Sequence, residues 1–148
     1  MDVGALNVKL LKHLNPGEPA PPLTITTVDN QKWDLAEQKG KVVLMLFWTI
    51  RRESSIDEFK PLIEQFAANP RITVLAVNVD RDPKAAQEAA TKHGMTWPLA
   101  APEDLGILNQ LDTSFPGMVV VGADGTIVQN HIFQAKYLKK FVDRALAQ

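Results

Sequence analysis

Seven consecutive apolar residues, Val42 to Trp48, constrain the fold of this chain more than any other feature. A strand with one face in water alternates between apolar and polar residues, whereas a strand covered on both faces is apolar at nearly every position. The run is also far shorter than the roughly 20 residues that a membrane-spanning helix needs. We therefore predict that Val42–Trp48 is an inner strand of a sheet whose two faces are both covered.

Apolar periodicity predicts the other elements in an alternating order. A hairpin over residues 23–28 and 32–35 precedes the run; strands follow at 73–79, 118–121 and 126–132, and helices at 56–69, 83–93, 102–111 and 137–147. The pair Asp124-Gly125 is typical of a tight hairpin turn. We expect one α/β domain over residues 1–148, with a mixed central sheet, helices on both faces, and an extended, proline-rich segment over residues 1–22.

Composition narrows the function without identifying it. The formal net charge of -1 gives no electrostatic reason to expect nucleic acid as a partner. Residues 1–10 contain no sustained apolar block, so we expect neither a signal peptide nor membrane insertion in this segment. The absence of cysteine excludes disulfides and thiolate metal sites, and it leaves the cellular compartment undetermined.

Five short stretches occur in an order and spacing that resemble one known family. They are residues 17–21, 39–43 with Phe47-Trp48, 77–80, 93–98, and Phe115-Pro116 with 119–125. Together they resemble the thioredoxin-like superfamily, specifically its redoxin and TlpA/ResA-like branch. The resemblance implies a thioredoxin-like fold over roughly residues 17 to 147, a cis bond at Pro116 and a lineage of thiol–disulfide oxidoreductases. It also implies a periplasmic or envelope location if a signal or anchor precedes this segment.

The chain departs from this family at the active site. Counting from Phe47-Trp48 places the two family cysteines at Arg52 and Ser55, and counting back from Pro61 places them at Glu53 and Ile56. Thiol–disulfide exchange requires a thiolate, so neither register permits it. The first register also puts Glu58 where ResA-like members have an acidic residue. The vestigial site positions, to which we assign no catalytic role, are therefore Arg52, Glu53, Ser54, Ser55 and Glu58.

Ser55 and Glu58 have the spacing of a helix capping box, in which a serine oxygen accepts an N–H group of the first helical turn. We prefer this interpretation to a catalytic serine, because a serine nucleophile needs a positioned base. The histidines, His13, His93 and His131, lie in no recognisable motif. We expect surface or capping roles for them, with His93 at the end of a helix.

Arg51 and Arg52 come just before a predicted helix N-terminus, where free N–H groups favour anions. Glu53, Asp57 and Glu58 lie close by and give residues 51–58 a net charge of -1, from two positive and three negative side chains. Local ion pairing is therefore the favoured interpretation over an anion site. Asp57 and Glu58 do not predict a metal site, because adjacent helical residues point about 100° apart. We expect no metal and no cofactor.

The surface around Pro116 needs no sulfur to function. By resemblance, the residue before this proline offers its backbone N–H and C=O to an extended peptide. The peptide-binding surface would then be formed by Trp48, Thr49, Phe115 and Pro116, with the rings of Trp48 and Phe115 as an apolar platform. An equally weighted interpretation is that Pro116 serves the packing of the domain alone.

These observations predict a redox-inactive thioredoxin-fold domain that binds an extended protein segment or acts as a scaffold. The first alternative is a member of the TlpA/ResA-like oxidoreductase lineage whose catalytic cysteines were lost or mutated. The second is a small anion-binding site at residues 51–55.

Overall fold

The computed structural model describes residues 14–52, 54–102 and 117–147. The strands are β1 (Thr24–Thr26), β2 (Lys32–Asp34), β3 (Val42–Trp48), β4 (Ile72–Asn78), β5 (Leu99–Ala100), β6 (Gly117–Val121) and β7 (Ile127–Ile132). The α-helices are α1 (Ser54–Ala67), α2 (Pro83–Lys92) and α3 (Ala135–Leu146). Two short 3₁₀ helices cover Leu35–Gln38 and Ile50–Arg52.

Strand β3 lies in the middle of the main sheet, whose strand order is β5-β4-β3-β6-β7. It runs parallel to β4, with Val42 opposite Ile72, and antiparallel to β6, with Phe47 opposite Gly117. Strands β1 and β2 form a separate antiparallel hairpin. The prediction that Val42–Trp48 is an inner strand of a mixed sheet is therefore confirmed.

Alternate residues of β3 enter two hydrophobic clusters, one on each face of the sheet. The even-numbered residues 42–48 pack beneath the α-helices, where α1 contributes Ile56, Phe59 and Ile63. The odd-numbered residues 43–47 pack beneath the β1–β2 hairpin, which contributes Ile25 and Trp33. All seven residues of β3 are buried, as expected for a strand covered on both faces.

The ends of the predicted helices and strands that fall in the described ranges differ from the observed ones by at most two residues. Asp82 caps α2 by accepting a hydrogen bond from the Ala85 N–H at 3.1 Å, and Gly94 ends the same segment with a φ of +69°. The two-residue strand β5 was not predicted, because two residues show no periodicity. The predicted helix at residues 102–111 falls, apart from Pro102, outside the described residues.

The described part of the proline-rich N-terminal segment covers the beginning of the edge strand β7. Gly17 N–H donates to the Ile127 carbonyl at 2.8 Å, and Ile127 N–H donates to the Glu18 carbonyl at 2.9 Å. Further along β7, the buried Asn130 side chain donates from Nδ2 to the Leu14 carbonyl at 2.8 Å. These bonds protect part of an otherwise open sheet edge.

No helix in the described ranges combines the length and the apolarity needed to cross a bilayer.

Candidate functional site

The loop that joins β3 to α1 contains the first of the two positions at which the resemblance places cysteines, Arg52 or Glu53 according to the register, and the second position lies within α1. Its described residues, 49–52, are named here the β3–α1 loop. Thr49 follows the buried end of β3, and Ile50–Arg52 form a 3₁₀ turn in which Arg52 N–H donates to the Thr49 carbonyl at 3.0 Å. Ile50 is half-buried against the main core, while Arg51 and Arg52 are exposed. The loop therefore presents two cationic side chains above an apolar anchor.

Asp80 holds this loop against the end of β4. Its Oδ1 accepts the Thr49 hydroxyl at 2.8 Å, and its Oδ2 accepts the Ile50 N–H at 2.7 Å. Asn78, which is fully buried, donates from Nδ2 to Oδ2 at 2.9 Å and accepts the Asp80 N–H at 3.0 Å. Because β3 and β4 are parallel, their carboxyl ends lie at the same edge of the sheet. The Asp80 carboxylate links the two ends.

The charged form of Asp80 is stabilised by these contacts. Partial burial opposes ionisation and would raise the pKa of the Asp80 carboxyl. The hydrogen bonds from Ile50, Thr49 and Asn78, together with the positive charge of Arg51, outweigh this effect, so the pKa of Asp80 lies below its ordinary value. The β3–α1 loop is thus tethered by an ionised carboxylate at neutral pH.

Two carboxylates of α1 connect its first turns to the neighbouring helices. Asp57 Oδ1 lies 2.9 Å from His93 Nδ1, at the residue that caps the C-terminus of α2. Glu58 Oε1 accepts the N–H of Ala135, the first residue of α3, at 3.5 Å. The predicted position of His93 at a helix end is confirmed. Glu58, which was expected near the site, faces the N-terminus of α3, where a negative charge is favourable.

The structure brings some of the predicted site positions together and leaves others undescribed. Arg52 is at the end of the 3₁₀ turn, and Ser54 is the exposed first residue of α1. Glu53, Phe115 and Pro116 lie outside the described residues. Gly117, which follows Pro116 in the chain, pairs with Phe47. The chain therefore enters β6 at the same edge of the sheet where β3 ends.

Two predictions about this region are wrong. The capping box required a helix that starts after Ser55, but α1 already begins at Ser54, so Ser55 lies inside the first turn. Glu58 Oε1 accepts a hydrogen bond from the Ala135 N–H. Trp48 has no exposed surface and belongs to the main core, so it does not provide an open apolar platform for a peptide. Its place in a strand covered on both faces explains the burial.

Sequence reasoning did not identify the Asp80 tether. The signal was available, because Asn78 and Asp80 are polar residues at the end of a buried apolar run. Strand β3, the parallel neighbour of β4, leads into the β3–α1 loop. Polar residues at the carboxyl end of β4 therefore lie close enough to bond to that loop. In the described ranges, no group of three or more His, Asp or Glu residues is arranged to hold a metal ion.

The buried central strand, the adjoining loop held by Asp80 and the mixed sheet fit a thioredoxin-like fold, and comparison with known proteins establishes that fold. The sequence model of the Redoxin family matches residues 15–141, and the chain belongs to that family. It is 24% identical over 119 residues to the thiol-disulfide oxidoreductase ResA of Bacillus subtilis, a match that covers 78% of this chain. The same match covers 66% of ResA, so the chain spans just under two thirds of that relative.

Solved structures show the same fold. The thioredoxin domain of a thiol-disulfide oxidoreductase from Bacteroides vulgatus superposes with a TM-score of 0.74 at 23% identity, covering 88% of this chain and 97% of that domain. A thiol:disulfide interchange protein of the thioredoxin family from Chlorobium tepidum superposes with a TM-score of 0.72 at 18% identity, covering 90% of this chain and 98% of that protein. The predicted thioredoxin-like fold and redoxin family are therefore confirmed.

Proposed function

We propose that this chain is a redox-inactive member of the Redoxin family that binds an extended segment of a partner protein beside the β3–α1 loop. The observation that supports the proposal is that the β3–α1 loop is held in place by hydrogen bonds, with no sulfur atom involved. None of the 148 residues is a cysteine, yet Asp80 fixes the loop through hydrogen bonds to Thr49 and Ile50.

The absence of cysteine removes the chemistry that the names of the relatives describe. Disulfide exchange proceeds by thiolate attack on sulfur through a mixed disulfide, and no other side chain can form that intermediate. Arg52 and Ser55 occupy the cysteine positions in one register, and Glu53 and Ile56 in the other. Ile56 is fully buried in the core beneath α1. Both registers lead to the same proposal of an inactive site.

The edge of the sheet beside the loop supports peptide binding. Because Gly117 pairs with Phe47, β6 begins at the same end of the sheet that the β3–α1 loop adjoins. An extended peptide gains affinity from backbone hydrogen bonds and specificity from alternate side chains. Here it would bind at the ends of β3 and β6, since both strands are already paired on each side within the sheet. With Trp48 buried, the half-buried Ile50 and the exposed Arg51 and Arg52 remain as side-chain contacts. This composition favours a partner segment with an apolar residue next to an acidic one.

A second function, exchange chemistry in a cysteine-containing form of this lineage, is favoured by the relatives alone. ResA and the Bacteroides vulgatus protein both carry the description thiol-disulfide oxidoreductase. That description applies to this chain by descent, and the chain as it stands lacks the reactive atoms. The anion-site alternative finds less support, because the charge of Arg51 already acts on the Asp80 carboxylate.

The proposal is tested with a phage-displayed library of random dodecapeptides selected against the full chain. Selected peptides are then titrated into ¹⁵N-labelled protein, and the shifted amides are mapped. Asp80→Ala removes the tether and should weaken binding, because the loop loses its fixed position. Asp82→Ala is the matched control, since it removes a carboxylate two residues away whose hydrogen bond goes to the Ala85 N–H of α2.

We expect the shifted amides to cluster at residues 49–52 and 117–118, with affinity reduced in Asp80→Ala and retained in Asp82→Ala. The proposal fails if no peptide is enriched above the unselected library. It also fails if the shifts are confined to the opposite end of the sheet, around Gly40 and Gly125, or if the two variants lose affinity equally.

A further inference from the structure

Strand β7 and helix α3 enclose a groove of about 280 Å³ on the flank of the sheet farthest from β5. We name it the β7–α3 groove; Gln129, His131, Phe133, Tyr137 and Phe141 are among its lining residues. Within the described ranges, Phe133 and Tyr137 are the exposed large hydrophobic side chains, at 57% and 51% exposure. Exposed apolar residues scattered singly are ordinary, but here both open onto one groove.

Two of the three aromatic lining residues are not taken up by the core of the domain: Phe133 and Tyr137 are exposed, whereas Phe141 is half-buried against the core. Helix α3 already buries Leu138, Val142 and Ala145 against the sheet. Phe133, Tyr137 and Phe141 recur every four residues, which places Tyr137 and Phe141 along one side of the helix. The helix therefore has one apolar stripe that packs inward and a second that lines the groove.

Positive charge is concentrated beside this second stripe. Helix α3 contains four cations and one carboxylate, Asp143, giving it a net charge of +3 in a chain whose total is -1. Lys136 Nζ lies 5.2 Å from the centre of the Tyr137 ring, and Lys140 Nζ and Arg144 Cζ lie 5.6 Å and 5.4 Å from that of Phe141. At these distances the rings attract the cations. The groove is thus an apolar slot with cations held over its aromatic wall.

We propose that the β7–α3 groove binds an acidic segment of a partner protein, which inserts an aromatic or aliphatic side chain between β7 and α3. Its carboxylates pair with Lys136, Lys140 and Arg144 around the inserted side chain. The burial of an apolar anchor supplies affinity, and the complementary charges select the partner and speed its association. This surface is independent of the β3–α1 loop and of the function proposed for it.

Charge and shape favour this occupant over two others. A bilayer contacts protruding side chains more readily than a slot between a strand and a helix. The chain's own residues 1–13 precede Leu14, whose carbonyl is bonded to Asn130 beside the groove. They carry Lys9 and Lys12 against Asp2, the same net sign as α3.

The test titrates the full ¹⁵N-labelled chain with the peptide acetyl-EELFEEL-amide and, as a charge control, with acetyl-KKLFKKL-amide. We expect the acidic peptide alone to bind, with shifts at residues 129–141. The double variant Lys136→Glu/Lys140→Glu should weaken binding about tenfold, since two attractive pairs become repulsive. Lys32→Glu/Lys84→Glu reverses two exposed lysines on the hairpin and on α2, and it should leave the affinity unchanged.

Several results would overturn the proposal. They are equal binding of the two peptides, absence of binding by the acidic one, and equal weakening by the two double variants. If amides of residues 2–13 shift in step with the groove, the chain's own segment is the occupant. If vesicles with anionic lipid are bound and Tyr137→Ser abolishes that binding while the acidic peptide fails, the surface recognises lipid instead. Shifts limited to residues 49–52 would assign the peptide to the β3–α1 loop.

Discussion

Substitution of Asp80 should destabilise the protein and release the β3–α1 loop. The carboxylate accepts three hydrogen bonds, from the Thr49 hydroxyl, the Ile50 N–H and the Asn78 amide. A buried hydrogen bond to a charged group contributes about 1.5–3 kcal/mol to stability. Asp80 is half-exposed, so water can replace part of this contribution in the variant, and each of the three bonds is expected to contribute about 1 kcal/mol. Asp80→Ala should therefore cost about 3 kcal/mol. Asp80→Asn keeps one acceptor oxygen and should cost about 2 kcal/mol.

The pH dependence has a defined sign. The pKa of Asp80 is lower in the folded protein than in the unfolded chain, because the hydrogen bonds favour the ionised form. Its contribution is complete above the unfolded pKa of about 3.9 and is lost as the pH falls through the folded value. The gap in unfolding free energy between the parent chain and Asp80→Asn should therefore be constant near pH 7 and shrink below about pH 4.

Urea denaturation at several pH values measures this gap, and hydrogen exchange of the Ile50 amide reports the loop directly. Glu64→Gln is the control, because that carboxylate is exposed on α1 and forms a long pair with Lys60 at 3.9 Å. Its effect should stay within about 0.5 kcal/mol. A cost for Asp80→Asn no larger than that of the control, or unchanged exchange at Ile50, would refute the tether.

Three further predictions concern the framework of the site. Ser55→Ala should change the free energy of unfolding by less than about 0.5 kcal/mol, because Ser55 lies inside α1 and alanine is a strong helix former. A loss of about 1 kcal/mol in urea denaturation would instead indicate that Ser55 caps the helix. Gly94→Ala should cost about 1 kcal/mol by thermal denaturation, since φ is +69° there; a stabilised variant would contradict that backbone conformation. Leu44→Ala should cost about 2–5 kcal/mol in urea because Leu44 is fully buried in the middle of the sheet, and a cost below 1 kcal/mol would argue against a close-packed core around β3.

The fold was largely predictable because its information is local. The buried strands are apolar runs, and the helices repeat apolar residues at their own period, so both can be recognised without knowing their neighbours. Trp48 is the last residue of the apolar run that predicted β3, so its burial was predictable from that run. The expectation that the Trp48 ring would be exposed did not take this into account. Strand β5 is stabilised by pairing with β4 and carries no pattern of its own.

The candidate site was less predictable because its contacts join distant parts of the chain. Asp80 bonds to residues about thirty positions earlier, and only the register of β3 with β4 brings them together. The spacing of Ser55 and Glu58 alone gave the wrong first residue of α1, which begins at Ser54. The β7–α3 groove is formed by a strand edge and a helix face together. The sequence pattern of the strand does not predict which helix packs beside it, and the pattern of the helix does not predict the strand.

The proposed function rests on a site that contains no sulfur and retains the loop and sheet around it. The most direct measurement is turbidimetric reduction of insulin disulfides by dithiothreitol, comparing the chain with the double variant Arg52→Cys/Ser55→Cys. We expect the cysteine-free chain to match a heat-denatured control and the double variant to accelerate the reaction, because a thiolate is then present. Turnover by the cysteine-free chain above that control would contradict the account, and so would an intact, folded double variant that forms its disulfide and remains inactive.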